Sequence, residues 1–344
     1  MTDGQRKRPR IADVARAAGV STTTVSDSLN GKGRLDSTTR AHVIAAARRL
    51  GYHANANARN LRHSQGSVLG FVASMPTDPA FELTDVEYVV KLLTAAATTS
   101  LAYGHALVLT PIVADENAVA PGAINVDGVL LMDPVEGSPL LRGFEDANTL
   151  TVTTGRALNR PSVATWWVDN DVERATEAML DIFAARGSKS IALLCNQPDR
   201  SYTRDTIAAY ERWARGKRMT QCVMLVGGRA TVDEAYDAVA RLLATKKCPD
   251  AIFALFDRLA IGALLAVRAA GLRVPEDVLI AAGSDSAMLR AAAPPITAID
   301  LHPERVGRYA AEMLIRRLED RAAPPVQMVV DVDIIERAST VRQP

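Results

Sequence analysis

Residues 10–30 read RIADVARAAGVSTTTVSDSLN, and the spacing of Ala15, Gly19 and Val25 within them decides how the front of the chain folds. That spacing predicts two short helices meeting across a tight turn, a helix-turn-helix of the kind that lays its second helix in a DNA groove. Ala15 is small enough to let the helices touch, and Gly19 can take the positive φ the turn demands. Val14, Ala18, Val20 and Val25 can fill the seam. Ser21 is placed to cap a second helix running from Thr22 to Leu29. Its side chains Thr22, Thr23, Ser26 and Asp27 then face outward as candidate base readers.

Charge supports this reading independently. Residues 1–63 hold twelve Lys and Arg against four Asp, a net +8, whereas the whole chain carries +1, so the remainder carries −7. A basic head on an acidic body points to a phosphate-bearing partner, and a solvated basic terminus alone would not explain the capped helix pair.

Working outward, a third helix is expected over residues 37–50, capped by Asp36 or Ser37, with Val43, Ile44, Ala47 and Leu50 as its apolar stripe. Residues 53–63 are too polar to build a core yet hold no Gly or Pro, which suits a hinge helix that orders only when supported. From Gly66 onward, apolar strand-like runs alternate with amphipathic helical stretches, the pattern of parallel α/β sheets, and they fall into two similar series. The length of 344 residues implies more than one domain, and 48% hydrophobic with 5% aromatic residues fits ordinary packed domains. An N-terminus without an apolar run predicts a cytoplasmic protein, and no stretch is suited to a bilayer. Cys195, Cys222 and Cys248 suggest neither disulfides nor a zinc site, and no metal or cofactor is expected.

These segments together resemble the LacI/GalR (lactose-repressor and galactose-repressor) family of bacterial transcription regulators. The likeness is carried by IADVARAAGVSTTTVSDSLNGKGRLDSTTRAHVIAAARRLGYHANANARNLR (11–62), by AIFALFDRLAIGALLAVRAAGLRVPEDVLIAAGSD (251–285) and by PPITAID (294–300). The resemblance implies an all-α helix-turn-helix headpiece (1–52), a hinge helix (53–65) and a two-lobed α/β core like periplasmic sugar-binding proteins (66–344). It places the N-lobe at about 66–162 and 291–322, and the C-lobe at about 163–290 and 323–344. It assigns base reading to Thr22, Thr23 and Asp27, and phosphate contacts to Ser21, Ser26, Asn30 and Arg34. Asn55, Ala58 and Leu61 become the hinge contacts to the minor groove, with Leu61 as an apolar wedge. Asp27 departs from the usual arginine, and a carboxylate accepts from cytosine N4 where arginine donates to guanine, so an atypical operator is expected. Ser28 replaces a usual apolar residue.

In a two-lobed core the ligand lies where the carboxyl ends of the strands converge. Phe81, Asp133, Arg204, Phe256, Asp257 and Asp285 are the expected effector contacts, with Arg204 and Asp285 matching family positions that hold hydroxyls or carboxylates. Phe256 and Ala230 stand where sugar-responsive members often carry asparagine and an aromatic residue, which favours a less hydroxylated or larger ligand. The expected partners are double-stranded operator DNA, a small sugar-like effector and a second copy of the chain. A cytoplasmic solute-binding protein is the alternative. No nucleophile elbow, P-loop, GxGxxG after a strand or His/carboxylate constellation suggests an enzyme.

Overall fold

The computed structural model describes residues 11–30, 36–49, 67–73, 87–110, 126–159, 165–227, 230–245 and 248–342. The chain divides into two compact units, Met1–Gly66 and Ser67–Pro344.

The first unit holds helices α1 (Ile11–Ala18), α2 (Thr22–Asn30) and α3 (Ser37–Arg49). Gly19 sits at φ +65, and the Val20 amide donates to the Ala15 carbonyl at 3.0 Å to close the turn. Ser21 Oγ accepts from the Thr24 amide at 3.0 Å, the cap expected from sequence. Asp36 accepts from the amides of Thr38 and Thr39 and opens α3 in the same way. Val14, Ala15, Ala18, Val25, Val43, Ala46 and Ala47 form the small core. Ile44 is only partly buried, and Leu50 lies outside the described residues.

The second unit is built on two six-stranded sheets. The strands of lobe 1 are β1 (Val68–Ala73), β2 (Ala106–Leu109), β3 (Gly128–Met132), β4 (Leu150–Thr154), β5 (Trp167–Asn170) and β11 (Gln327–Val330), all parallel. Helices α4 (Glu87–Ala102) and α11 (Pro303–Glu319) cover one face, where Leu92, Ala96, Ala310 and Leu314 meet Leu69, Phe71, Leu130 and Val152. A short helix α5 (Pro139–Asp146), capped by Ser138, covers the other through Leu140, Leu141 and Phe144.

Lobe 2 contains β6 (Ile191–Cys195), β7 (Val223–Leu225), β8 (Ala251–Ala254), β9 (Leu279–Ala282), β10 (Thr297–Asp300) and β12 (Asp333–Ile335), with only β12 antiparallel to its neighbour. Helices α6 (Val172–Ala185) and α7 (Ser201–Lys217) cover one face. Helices α8 (Val232–Leu243) and α9 (Asp257–Ala269) cover the other, and α10 (Ala287–Ala291) follows β9. Cys195 is buried in this sheet, and burial pushes its thiol up to about 12.

The sheets correct the expected lobe boundaries in three places. Residues 167–170 were expected in the C-lobe but pair with β4 in the first sheet. Residues 297–300 were expected in the N-lobe but pair with β9 and β12 in the second. Residues 327–330 were expected in the C-lobe but pair with β5. The reason is common to all three: the chain crosses between lobes after a strand has finished, so each strand stays with the lobe that precedes the crossing. Asn170 Nδ2 donates to the carbonyls of Leu301 (2.9 Å) and Val330 (3.4 Å), so one side chain ties the three crossings together.

Helices α4 and α11 pack closely at Gly307, where a methyl group would collide with the Leu92 carbonyl. Gly307→Ala is therefore expected to destabilise the core by ~1–3 kcal/mol despite alanine's better helix propensity. Equilibrium denaturation checks this, and a variant as stable as the parent contradicts the packing.

Candidate functional site

Two surfaces carry chemistry, one in each unit. In the headpiece, Ser21, Thr22 and Thr23 are exposed at the start of α2, and Asp27 is partly exposed one turn on. Ser21 Oγ also lies 2.9 Å from Thr24 Oγ1, so capping occupies its lone pair while a hydroxyl proton remains free to move between partners. No ion pair of Asp27 is present among the described residues. Ser28 is buried with its hydroxyl unpartnered among the described residues, the packing defect expected where an apolar residue is usual. Ser26 and Asn30 lie on α2, with their side chains outside the described set. Arg34, Asn55, Ala58 and Leu61 lie outside the described residues altogether.

The second surface is the cleft between the lobes, at the carboxyl ends of both sheets. Asp133 follows β3 at φ +42, donates its amide to the Thr154 carbonyl (2.7 Å), and receives Arg200 Nη1 on its own carbonyl. Its carboxylate lies over Gly155, at φ +90, where any side chain would meet Asp133 Oδ1. No donor reaches that carboxylate among the described residues. Burial, opposed by Arg200 and reinforced by the charges of Asp169 and Asp199, raises Asp133 to about 6. Asp169, at the end of β5, is raised mainly by burial. It accepts from the Arg156 amide (3.1 Å), Arg156 Nε (3.3 Å) and Ser201 Oγ (3.4 Å).

Aromatic groups complete the cleft. Tyr202 donates to the Gly283 carbonyl at 2.6 Å, and its ring lies 5.8 Å from that of Phe256, tilted by 52°. Burial, then the charge of Asp133, raises both the Tyr88 and the Tyr202 hydroxyl. The Thr154 and Ser286 hydroxyls are buried with no partner among the described residues.

The two expected anchors are already engaged. Arg204 reaches Glu136 at 2.5 and 3.3 Å and the Pro198 carbonyl at 2.9 Å. Asp285 is clamped by Arg337 (2.8 and 2.9 Å) and Arg290 (2.9 Å), and Arg290 continues to Glu87 on α4 at 2.9 Å. Against the upward push of burial, bonds from Lys91, Arg290 and the Ala287 amide hold Glu87 at about 2. Asp257 opens α9 beside Phe256 and accepts from the Arg258 amide. Phe81 lies outside the described residues. The structure thus brings Asp133 and Phe256 to a cleft shared with Tyr88, Asp169, Arg200 and Tyr202, which the sequence reading did not select. Arg200 and Tyr202 lie at the start of α7, after the loop that leaves β6, which was their one legible signal.

Comparison with known proteins agrees with this geometry. Residues 10–55 match the bacterial regulatory proteins of the lacI family, and residues 180–340 match the periplasmic binding protein-like domain. The chain is 29% identical over 343 residues to the HTH-type transcriptional regulator CelR of Thermobifida fusca, covering 97% of this chain and 99% of that protein. It is 27% identical over 317 residues to the HTH-type transcriptional repressor PurR of Haemophilus influenzae strain PittEE, covering 90% of each. Among solved structures, a transcriptional regulator CelR–cellobiose complex has a TM-score of 0.73 at 25% identity, covering 96% of this chain and all of that one. The lac repressor dimer bound to operator and the anti-inducer ONPF has a TM-score of 0.85 at 21% identity, covering 98% of this chain and all of the other.

A carboxyl raised by folding binds its proton more tightly in the native state, so stability falls as pH rises from the unfolded value of 3.8 through about 6. Asp133→Asn is expected to remove that dependence. Lowering the pH from 7 to 4.5 should then stabilise the parent relative to the variant by ~1 kcal/mol or more. Parallel urea-denaturation profiles of the two proteins across this range would contradict the assignment.

Proposed function

The chain belongs to the lacI family of bacterial regulatory proteins, and from that premise we propose how this member reads DNA and senses its ligand. It is a sequence-specific DNA-binding regulator, acting as a repressor, whose operator affinity is set by a small molecule bound between the lobes. The observation that carries this reading is a capped helix pair with an exposed Thr22–Thr23 edge, borne on a basic segment and followed by a two-lobed core. The solute-binding alternative falls, because that role leaves the lacI-type segment at 10–55 without a purpose and the relatives are transcription regulators.

We assign base reading to Thr22, Thr23 and Asp27, and phosphate contacts to Ser21, Ser26, Asn30 and Arg34. Asn55, Ala58 and Leu61 act as the hinge contact within a 53–65 segment that follows a 1–52 headpiece. In the cleft, Asp133 accepts hydrogen bonds from the effector while Tyr202 and Phe256 offer it aromatic faces. Arg204 and Asp285 serve the closed arrangement through their ion pairs and exchange them for ligand groups when the lobes move. A relative's structure holds cellobiose, and a carboxylate that no donor reaches among the described residues suits a hydroxyl-bearing metabolite, which Phe256 and Ala230 favour as larger or less hydroxylated than a simple sugar.

The protein works as a homodimer on a near-palindromic site. Leu101, Tyr103, Val108 and Leu109 leave an apolar surface at the β2 edge of lobe 1 that a second copy would cover. The working compartment is the cytoplasm, and no catalytic step is assigned. Among the described residues no helix is long and apolar enough to cross a membrane.

Selection from random duplexes tests the reading. The full chain is expected to recover one near-palindromic sequence, and Asp27→Arg to shift preference toward guanine at one symmetric position per half-site, a discrimination of ~1–3 kcal/mol. Recovery of no enriched sequence, even at low salt, contradicts the function. An unchanged profile for the variant contradicts the role of Asp27.

A further inference from the structure

The first sheet has a notch. Strand β4 pairs with β3 along all five of its residues but meets β5 only at Thr153 and Thr154. Alternate residues of a parallel strand turn their peptide groups to the same side, and the Thr153 and Gly155 amides donate toward β5, to the carbonyls of Trp166 and Val168. Thr151 therefore faces the same way, where no strand lies among the described residues. Arg317, near the end of α11, donates Nη1 to the Thr151 carbonyl at 2.6 Å and stacks on the Trp166 ring with Cζ 5.3 Å from its centroid. The Thr151 amide, and the remaining Nε and Nη2 donors of Arg317, meet no acceptor among the described residues.

These unspent donors converge on a cavity of about 280 Å³ whose apolar walls include Leu141, Leu150 and Trp166. Arg317 is half-buried, and burial pulls its pKa down, so the cation lacks full compensation. Glu145, on the rim, adds a negative charge that disfavours a dianion. The cavity opens at the starting ends of the strands, opposite the carboxyl ends that form the effector cleft.

We propose that this notch is a second small-molecule site, which takes a compact monocarboxylic acid by binding its carboxylate to Arg317 and the Thr151 amide and its apolar body against Leu141, Leu150 and Trp166. The site is independent of the inter-lobe cleft. It uses a stretch of β4 that no strand pairs on this side among the described residues, where a ligand oxygen completes the ladder in place of a carbonyl.

Calorimetric titration of the full chain with sodium benzoate, and separately with inorganic phosphate at matched ionic strength, tests this. Benzoate is expected to bind saturably and phosphate at least tenfold more weakly. Arg317→Met should weaken benzoate at least tenfold through loss of the charge-assisted bond. Thr149→Phe, which fills the notch from its rim and leaves Arg317 in place, should do the same. Absence of saturable benzoate binding, equal binding of phosphate, or undiminished benzoate binding in folded Arg317→Met or Thr149→Phe protein would each overturn the proposal.

Discussion

The core depends on the amide of Asn170. It stands at the first crossing between the lobes and bonds to a backbone carbonyl on each of the other two, Leu301 and Val330. Three chain segments tied side by side form one short bundle about which the lobes can turn without coming apart. Because every crossing follows a strand that ends at the cleft, the axis of that motion runs beside the ligand site. Whatever binds among Asp133, Tyr202 and Phe256 therefore acts where a small change in contacts has the greatest leverage on lobe geometry.

The contacts that bridge the cleft are of moderate strength. Glu136 meets Arg204, Arg156 meets Asp205, and Glu87 meets Arg290, each pair joining lobe 1 to lobe 2 with partly exposed side chains. Such pairs contribute roughly 0–1 kcal/mol apiece, so the contacts that bridge the lobes are ones a single ligand can match. Asp133 differs from them. It keeps a partly buried charge that no donor reaches among the described residues, a cost a hydroxyl-bearing ligand would relieve. A cleft built from exchangeable ion pairs around polar groups that meet no partner among the described residues is suited to switching, and the basic headpiece supplies what is switched.

Much of the headpiece was legible because its signals are local. Ala15, Gly19, Val25 and the Ser21 cap lie within a single turn of what they control, and the structure places them as the spacing implied. The alternation of strands and helices was legible for the same reason. Membership of a given sheet was not, since β5, β10 and β11 are four-residue strands whose lobe is fixed by pairing partners rather than by their own composition. The α5 helix escaped notice because it spans only eight residues, with its buried positions Leu140, Leu141 and Phe144 too few to set a period. In the cleft, the family resemblance drew attention to Arg204 and Asp285. Their counter-ions Glu136 and Arg337 come from distant segments, and the absence of a donor to Asp133 among the described residues is visible only once the sheets are assembled.

The central claim is that cleft and headpiece are coupled through lobe geometry, and thermodynamic reciprocity tests it most directly. Once a ligand and an operator are in hand, the ligand's dissociation constant would be measured by calorimetry with and without saturating operator. The account predicts that operator shifts ligand affinity by the same factor by which ligand shifts operator affinity, and that the factor is well above one. A ligand that binds the cleft with equal affinity in the free and DNA-bound protein would contradict it.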